Sequence, residues 1–184
     1  MRLAIDAGHG MSSARPGVFD PGAVSANYRE ADIALAYAEA LAWFCHESGI
    51  PFSCSRRNQT DPAPLRTRAQ KFAKAGCTHL ISFHCNSALS VHANGTETFY
   101  SDDAKWAQAV QDAALKALGL RDRGLKHESR TRHGRLAILR MPGQCALLEL
   151  GFISNVKDRE VMLARESRVK LCEEIIKAIK GGKA

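Results

Sequence analysis

Two histidines and two glutamates, His9, His84, Glu30 and Glu149, stand at places in this chain where such side chains could do chemistry. Two histidines and one carboxylate from separate segments, with a fourth position left for water, make a catalytic zinc site. Zinc lowers the pKa of water towards neutrality and polarises a carbonyl. A second carboxylate that does not bind the metal can take the proton from water and pass it to a departing amine. On this reading His9, Glu30 and His84 hold one Zn²⁺ per chain and Glu149 carries the proton. Three of the four also have a plainer reading. His9 could be a turn histidine, His84 a core histidine bonded to backbone, and Asn27-x-x-Glu30 fits a helix capping box.

The elements that must position these groups can be read from the pattern. Leu3 to Ala7 is a short apolar strand that runs into Gly8-His9-Gly10, where glycines let the backbone turn sharply and approach a ligand closely. A Gly-, Pro- and Ser-rich loop from Met11 to Asn27 contains the turn signal Asp20-Pro21-Gly22-Ala23. A helix is expected from about Tyr28 to Glu47, with Ile33, Tyr37, Ala40, Leu41 and Phe44 on its core face. Glu30 continues that stripe by one turn, and a carboxylate there is costly unless paired or bound to metal. In the strand Thr78 to Asn86, Leu80, Ser82, His84 and Asn86 share one face while Ile81, Phe83 and Cys85 share the other. His84 therefore emerges at a strand's carboxyl end, where open α/β sheets place their sites. Cys145 to Phe152 is almost wholly apolar, as in a strand covered on both faces, and Glu149 is the unexpected acid in it. Burial raises the pKa of such a carboxyl group and suits it to proton transfer.

The remaining segments predict strands at Pro51 to Ser55, Gly95 to Tyr100 and Arg135 to Met141. Helices are expected at Leu65 to Ala75 and Asp103 to Leu118. One final helix should carry Val169, Cys172, Ile175, Ile176 and Ile179 as its stripe. Strands and helices alternate, which predicts an α/β fold: a mostly parallel, mixed central sheet flanked by helices in three layers, α/β/α. A single domain over residues 1–180 is expected, followed by a short basic tail at 181–184 that frays.

Composition narrows the function classes. The chain has 184 residues, 45% hydrophobic and 24% charged, ordinary for a globular domain with a sizeable core. No apolar run is long enough to span a membrane. Met1-Arg2 leads straight into a strand, so no signal peptide is read and synthesis is expected to end in the cytoplasm. The six cysteines form no C-x-x-C pair, and without a signal peptide they are expected to be reduced, buried thiols. The net charge of +7 calls for an anionic partner or surroundings. Basic residues cluster from Arg121 to Arg140, but no nucleic-acid-binding signature or stacking aromatics accompany them, so nucleic acid is not expected as a partner.

Several motifs occur in order: Asp6-Ala7-Gly8-His9-Gly10, Glu30 heading a helix, Ser82-Phe83-His84-Cys85-Asn86, Gly95-Thr96-Glu97-Thr98 and Leu148-Glu149-Leu150-Gly151-Phe152-Ile153-Ser154-Asn155. With them the chain resembles the zinc-dependent N-acetylmuramoyl-L-alanine amidases of the amidase_3 family, from Leu3 to about Asn155. The resemblance implies zinc on His9, Glu30 and His84 and Glu149 as acid/base. It also implies hydrolysis of the amide between N-acetylmuramic acid and the L-alanine of the peptidoglycan stem peptide. Phe72-Ala73 stands where relatives commonly have Ala-Asn. Only 52 positions separate Glu97 from Glu149, too few for the long inhibitory insertion of members involved in cell division. An ungated amidase made in the cytoplasm resembles a phage or prophage endolysin, a monomer released to the cell wall when the inner membrane is permeabilised. Two other classes stay open on the residues alone: a peptidoglycan-binding protein without catalysis, and a basic nucleic-acid-binding protein.

Overall fold

In the computed structural model, which describes residues 1–182, the chain builds one six-stranded sheet with helices on both faces. The elements in order are β1 (Leu3–Ala7), β2 (Gly10–Met11), β3 (Phe19–Asp20), β4 (Val24–Ser25), β5 (Tyr28–Arg29), α1 (Glu30–Glu47), β6 (Phe52–Cys54), α2 (Leu65–Lys74), β7 (His79–Asn86), β8 (Thr96–Tyr100), α3 (Lys105–Leu118), β9 (Asp122–His127), two 3₁₀ turns (Glu128–Arg130 and Ala137–Arg140), β10 (Gln144–Phe152), α4 (Val156–Leu163) and α5 (Arg165–Lys180). The main sheet has the order β6-β1-β7-β10-β8-β9, and β2-β3 and β4-β5 are small separate hairpins. Strands β6, β1, β7 and β10 run parallel, β8 is antiparallel to β10, and β9 follows β8 in parallel. The sheet is thus mostly parallel and mixed, as the alternation of elements predicts.

The alternation of side chains along each strand sorts the core into two layers. Ile5, Ile81, Phe83, Leu148 and Leu150 face α1, α3 and α5 with Tyr37, Leu41, Trp106, Val110 and Ile175. Ala4, Leu80, Cys145 and Leu147 face α2 and the second 3₁₀ turn with Phe72, Ile138 and Leu139. Phe72, the departure from the family's usual residue, is therefore a core side chain of the thinner layer. All six cysteines are free thiols, and five are buried; Cys54 is only half-buried, against the expectation for all six. No helix among the described residues is long and apolar enough to cross a membrane.

Three expectations are corrected. Arg135 to Met141 is not a strand: both neighbours of β10 are already taken by β7 and β8, and the short apolar run curls into a 3₁₀ turn that buries Ile138 and Leu139. A strand absent from the sequence reading, β9, forms within the basic cluster. It is an edge strand whose charged side chains leave it only half-buried, so it carries no apolar alternation. The final helix is two helices, parted at Ala164, whose ψ of 131° is extended. The Tyr37 hydroxyl donates to the Met162 carbonyl at 3.1 Å, satisfying one of the groups the break leaves open. Of the expected fraying tail, residues 183–184 lie outside the described residues.

Asp158 ties the two ends of this region together. Its buried Oδ2 accepts from the amides of Gly95 at 2.7 Å and Phe152 at 2.9 Å, so it joins the entry to β8 and the exit of β10 to α4. Asp158→Ala would leave two buried amides unpaired, each costing about 1–3 kcal/mol. The expected result is roughly 2–6 kcal/mol of lost stability, read as a lower urea midpoint with unchanged slope; a midpoint equal to that of the wild type would refute this role.

Candidate metal centre

His9 sits on a turn that other side chains hold in place. Its φ of 59° lies in the left-handed region, which is unfavourable for a residue with a Cβ. Two arginines, each only 2% exposed, bind the carbonyls of this turn. Arg56 donates from Nε to Ala7 O (3.3 Å) and from Nη2 to Gly8 O (2.9 Å), and Nη2 also reaches Ala31 O in α1 (2.6 Å). Arg68 donates from Nη1 to Ala7 O (3.2 Å) and from Nη2 to His9 O (2.6 Å). Arg68 also pairs with buried Asp6 at 3.1 Å, and Ser82 Oγ donates to the second Asp6 oxygen at 2.6 Å. Burial works against the charge of Asp6, but Arg68 and Ser82 outweigh it and keep the carboxyl below its ordinary range.

Glu30 is the first residue of α1 and is buried. The capping box is not formed: the helix begins one residue after Arg29, with no side-chain cap bond, and Asn27 lies in the turn between β4 and β5. The Ala23 and Pro21 carbonyls take the first helical amides instead, at 2.9 and 3.0 Å from Glu30 N and Ala31 N. That frees the carboxylate to face inward. Oε2 accepts from Ala23 N (2.8 Å), while Oε1 accepts from Cys85 N (3.0 Å) and His84 Nδ1 (2.8 Å). The His9 Nε2 atom lies 3.1 Å from the same Oε1. Desolvation opposes the Glu30 charge, yet His84 and His9 hold its pKa well below the ordinary carboxylate value. For His9, burial disfavours protonation, but Glu30 and Asp20 prevail and raise the ring to about 9.

One ligand atom from each of His9, Glu30 and His84 lies within 4.8 Å of the others, a donor set that fits zinc. His84 is half-buried near the carboxyl end of its strand, whereas Cys85 points into the core, as the alternation predicts. Glycines make the room, and it goes to protein side chains rather than to a ligand. A Cβ on Gly8 would meet the His84 ring at 2.5 Å, and one on Gly22 would meet Glu30 Oε2 and the His9 ring at 2.6 Å.

Glu149 stands beside this set by register. It pairs with His84 across β10–β7 and with Glu97 across β10–β8, so the three acidic and basic groups form one row across the sheet. The Glu149 side chain is half-buried, but its Oε2 is buried without a hydrogen-bond partner. Burial, then the charges of Glu30 and Glu97, push its pKa well above the ordinary value. Glu97, by contrast, accepts from Asn86 Nδ2 (2.8 Å), Arg123 Nε (2.5 Å) and Lys126 Nζ (2.6 Å). Burial raises its pKa less than these partners lower it. One carboxyl group is thus fixed as an anion and its neighbour is biased to hold a proton. His9, Glu30, His84, Glu97 and Glu149 line one cleft of about 870 Å³, to which Phe99, Ile138 and Leu147 add apolar wall.

Sequence reasoning missed Asp20, Arg56 and Arg68. Asp20 Oδ2 accepts from His9 Nδ1 at 2.9 Å, which leaves Nε2 for a metal and fixes the ring's orientation. Its Oδ1 accepts from Gly22 N at 3.0 Å, so the turn signal Asp20-Pro21-Gly22 was the visible trace of a residue that also serves the site.

The profile of the Amidase_3 family, described as N-acetylmuramoyl-L-alanine amidase, matches residues 3–181. The chain belongs to this family. It is a hydrolase of that class, with the mixed α/β sheet of the amidase catalytic domains. The chain is 30% identical over 184 residues to YqiI of Bacillus subtilis (strain 168), covering 95% of this chain and 81% of YqiI. It is 30% identical over 162 residues to the N-acetylmuramoyl-L-alanine amidase LytC of the same organism, covering 85% of this chain and 30% of LytC. Among solved structures, the catalytic domain of CwlV, an N-acetylmuramoyl-L-alanine amidase from Bacillus (Paenibacillus) polymyxa var. colistinus, superposes with a TM-score of 0.83. That alignment has 26% identity and covers 98% of this chain and 97% of the other.

Two substitutions test how this amidase holds its donor set. Asp20→Ala is expected to keep the fold and weaken zinc binding about 10–100-fold, the usual cost of losing a partner behind a ligand. Gly8→Ala is expected to displace the His84 ring and weaken it at least as much. Competition with a chromophoric chelator reads both, with circular dichroism as the check on folding; wild-type affinity in either variant would remove that residue from the support of the site.

Proposed function

We propose that the chain hydrolyses the amide between the lactyl group of N-acetylmuramic acid and the L-alanine of the peptidoglycan stem peptide, using zinc held by His9, Glu30 and His84. The observation that carries this reading is the convergence of those three donors beside the orphaned carboxylate oxygen of Glu149. A bound zinc ion would supply Lewis acidity, polarising the carbonyl and making water acidic enough to react near neutral pH. Asp20 orients His9, and the first turn of α1 presents Glu30 at a helix N-terminus, where negative charge is favoured. Glu149 takes the proton released as water attacks and delivers it to the amine of L-alanine as the C–N bond breaks. Its raised pKa suits the second half of that task, and anionic Glu97 next to it favours the protonated form.

The same reading extends to a lytic enzyme acting on the cell wall. In support, the chain between β8 and β10 is taken up by α3, β9 and the two 3₁₀ turns, and the cleft stays open. The net charge of +7 favours adsorption to anionic wall polymers.

The test is digestion of purified sacculi with and without a chelator, with mass spectrometry of the products. Free stem peptides with a new L-alanine amino terminus are expected, and their loss in chelator. Glu149→Gln should keep zinc and fold while hydrolysis falls by roughly 10²–10⁴-fold. Zinc lost together with activity would make Glu149 a ligand, and full activity would place the proton carrier elsewhere.

A further inference from the structure

The basic stretch from Arg121 to Arg140 has only partly been accounted for: Arg123 and Lys126 neutralise Glu97, but the loop beyond β9 also enters the cleft. Thr131, Arg132 and His133 line it together with the donor set and Glu149. This loop is braced from within. Buried Glu128 accepts from Leu136 N at 2.7 Å and from Arg140, and its carbonyl takes Thr131 N at 2.9 Å and Thr131 Oγ1 at 2.8 Å. Gly134 N closes the turn on Thr131 O at 3.0 Å.

Of the acids that line the cleft, three are already paired, and the fourth, Glu149, is the proton carrier of the proposed reaction. Asp20 and Glu30 face the histidines, and Glu97 faces Arg123 and Lys126. Arg132 has no carboxylate partner among the described residues. Its Nε donates to His133 Nε2 at 3.1 Å, which orients the guanidinium and leaves the two terminal nitrogens for another acceptor. A planar fork with both ends available matches a carboxylate in a bidentate pair. The same cleft is also lined by Phe99, Leu136, Ile138 and Leu147, apolar side chains suited to the small side chain of an alanine and to backbone rather than to charge.

Resting on the amidase reading, we propose that Arg132, oriented by His133, binds a carboxylate of the stem peptide and makes an acidic residue next to the L-alanine a determinant of specificity. Phosphate of a wall polymer offers similar chemistry, so the test uses soluble substrates that contain none.

Two muropeptides that differ only in a free carboxyl group or a carboxamide on the second residue are compared by steady-state kinetics. The wild-type enzyme is expected to favour the acid about tenfold, through KM, since a hydrogen bond to a charged group is commonly worth that much. Arg132→Ala should abolish the preference, with kcat for the amide form, zinc content and melting temperature unchanged. Arg132→Lys should retain part of it, because the charge remains while the fork is lost. The preference should weaken as salt is raised. A preference that survives in Arg132→Ala, or a wild-type enzyme indifferent to the carboxylate, overturns the proposal. Failure of the wild-type enzyme to cleave either substrate overturns the amidase reading, and the subsite with it.

Discussion

Two buried guanidinium groups underlie the site, because without them the turn at the end of β1 would have no reason to keep its shape. Arg56 and Arg68 bind three successive carbonyls, of Ala7, Gly8 and His9, and Arg56 extends to Ala31 in α1. Removing a cation from water costs several kcal/mol, offset here by backbone dipoles and by the Asp6 carboxylate. Burial and the neighbouring Arg68 bring the Arg56 pKa down to about 10, which still leaves it charged near neutral pH. The unfavourable φ of His9 is thus held by hydrogen bonds on both sides of it. Because Arg56 grips both the His9 turn and the first turn of α1, it fixes the relative position of two of the three candidate metal donors.

The sheet supplies the other half of the arrangement. His84 and Glu149 lie near the carboxyl ends of the parallel strands β7 and β10, and Glu97 joins them because β8 runs the opposite way and begins at that same edge. Adjacent strands put their registered side chains about 5 Å apart on one face, close enough for charges to act on one another. The cations of β9 then decide which of the two glutamates stays ionised. An edge strand that looks unremarkable by hydropathy therefore shapes the electrostatics two strands away.

How much of this was legible varies with how a residue acts. His9, His84 and Glu149 were readable because each is a polar residue at a position where strand periodicity expects none or ends. Glu30 was ambiguous, since a capping box and an inward-facing carboxylate share one sequence pattern, and only the path of the Pro21–Ala23 backbone separates them. Arg56 and Arg68 were not readable: they act on carbonyls, and a backbone acceptor leaves no trace in the sequence. Asp20 showed only its turn-forming bond. The break at Ala164 carries neither glycine nor proline, and tertiary contacts such as that of Tyr37 with Met162 support it. The fold class was legible throughout because the change between twofold and 3.6-fold periodicity survives such local errors.

The burial of the thiols bears on how the chain meets an oxidant. A disulfide forms through a thiolate, and low-dielectric surroundings suppress that form. Burial pushes Cys45, Cys145 and Cys172 up to about 12, Cys54 up to about 11, and Cys85 well above its ordinary value. Thiolate is therefore scarce at these positions at neutral pH. Core packing that serves stability thus also makes these five thiols slow to oxidise or to cross-link to a neighbour, without any disulfide to protect them.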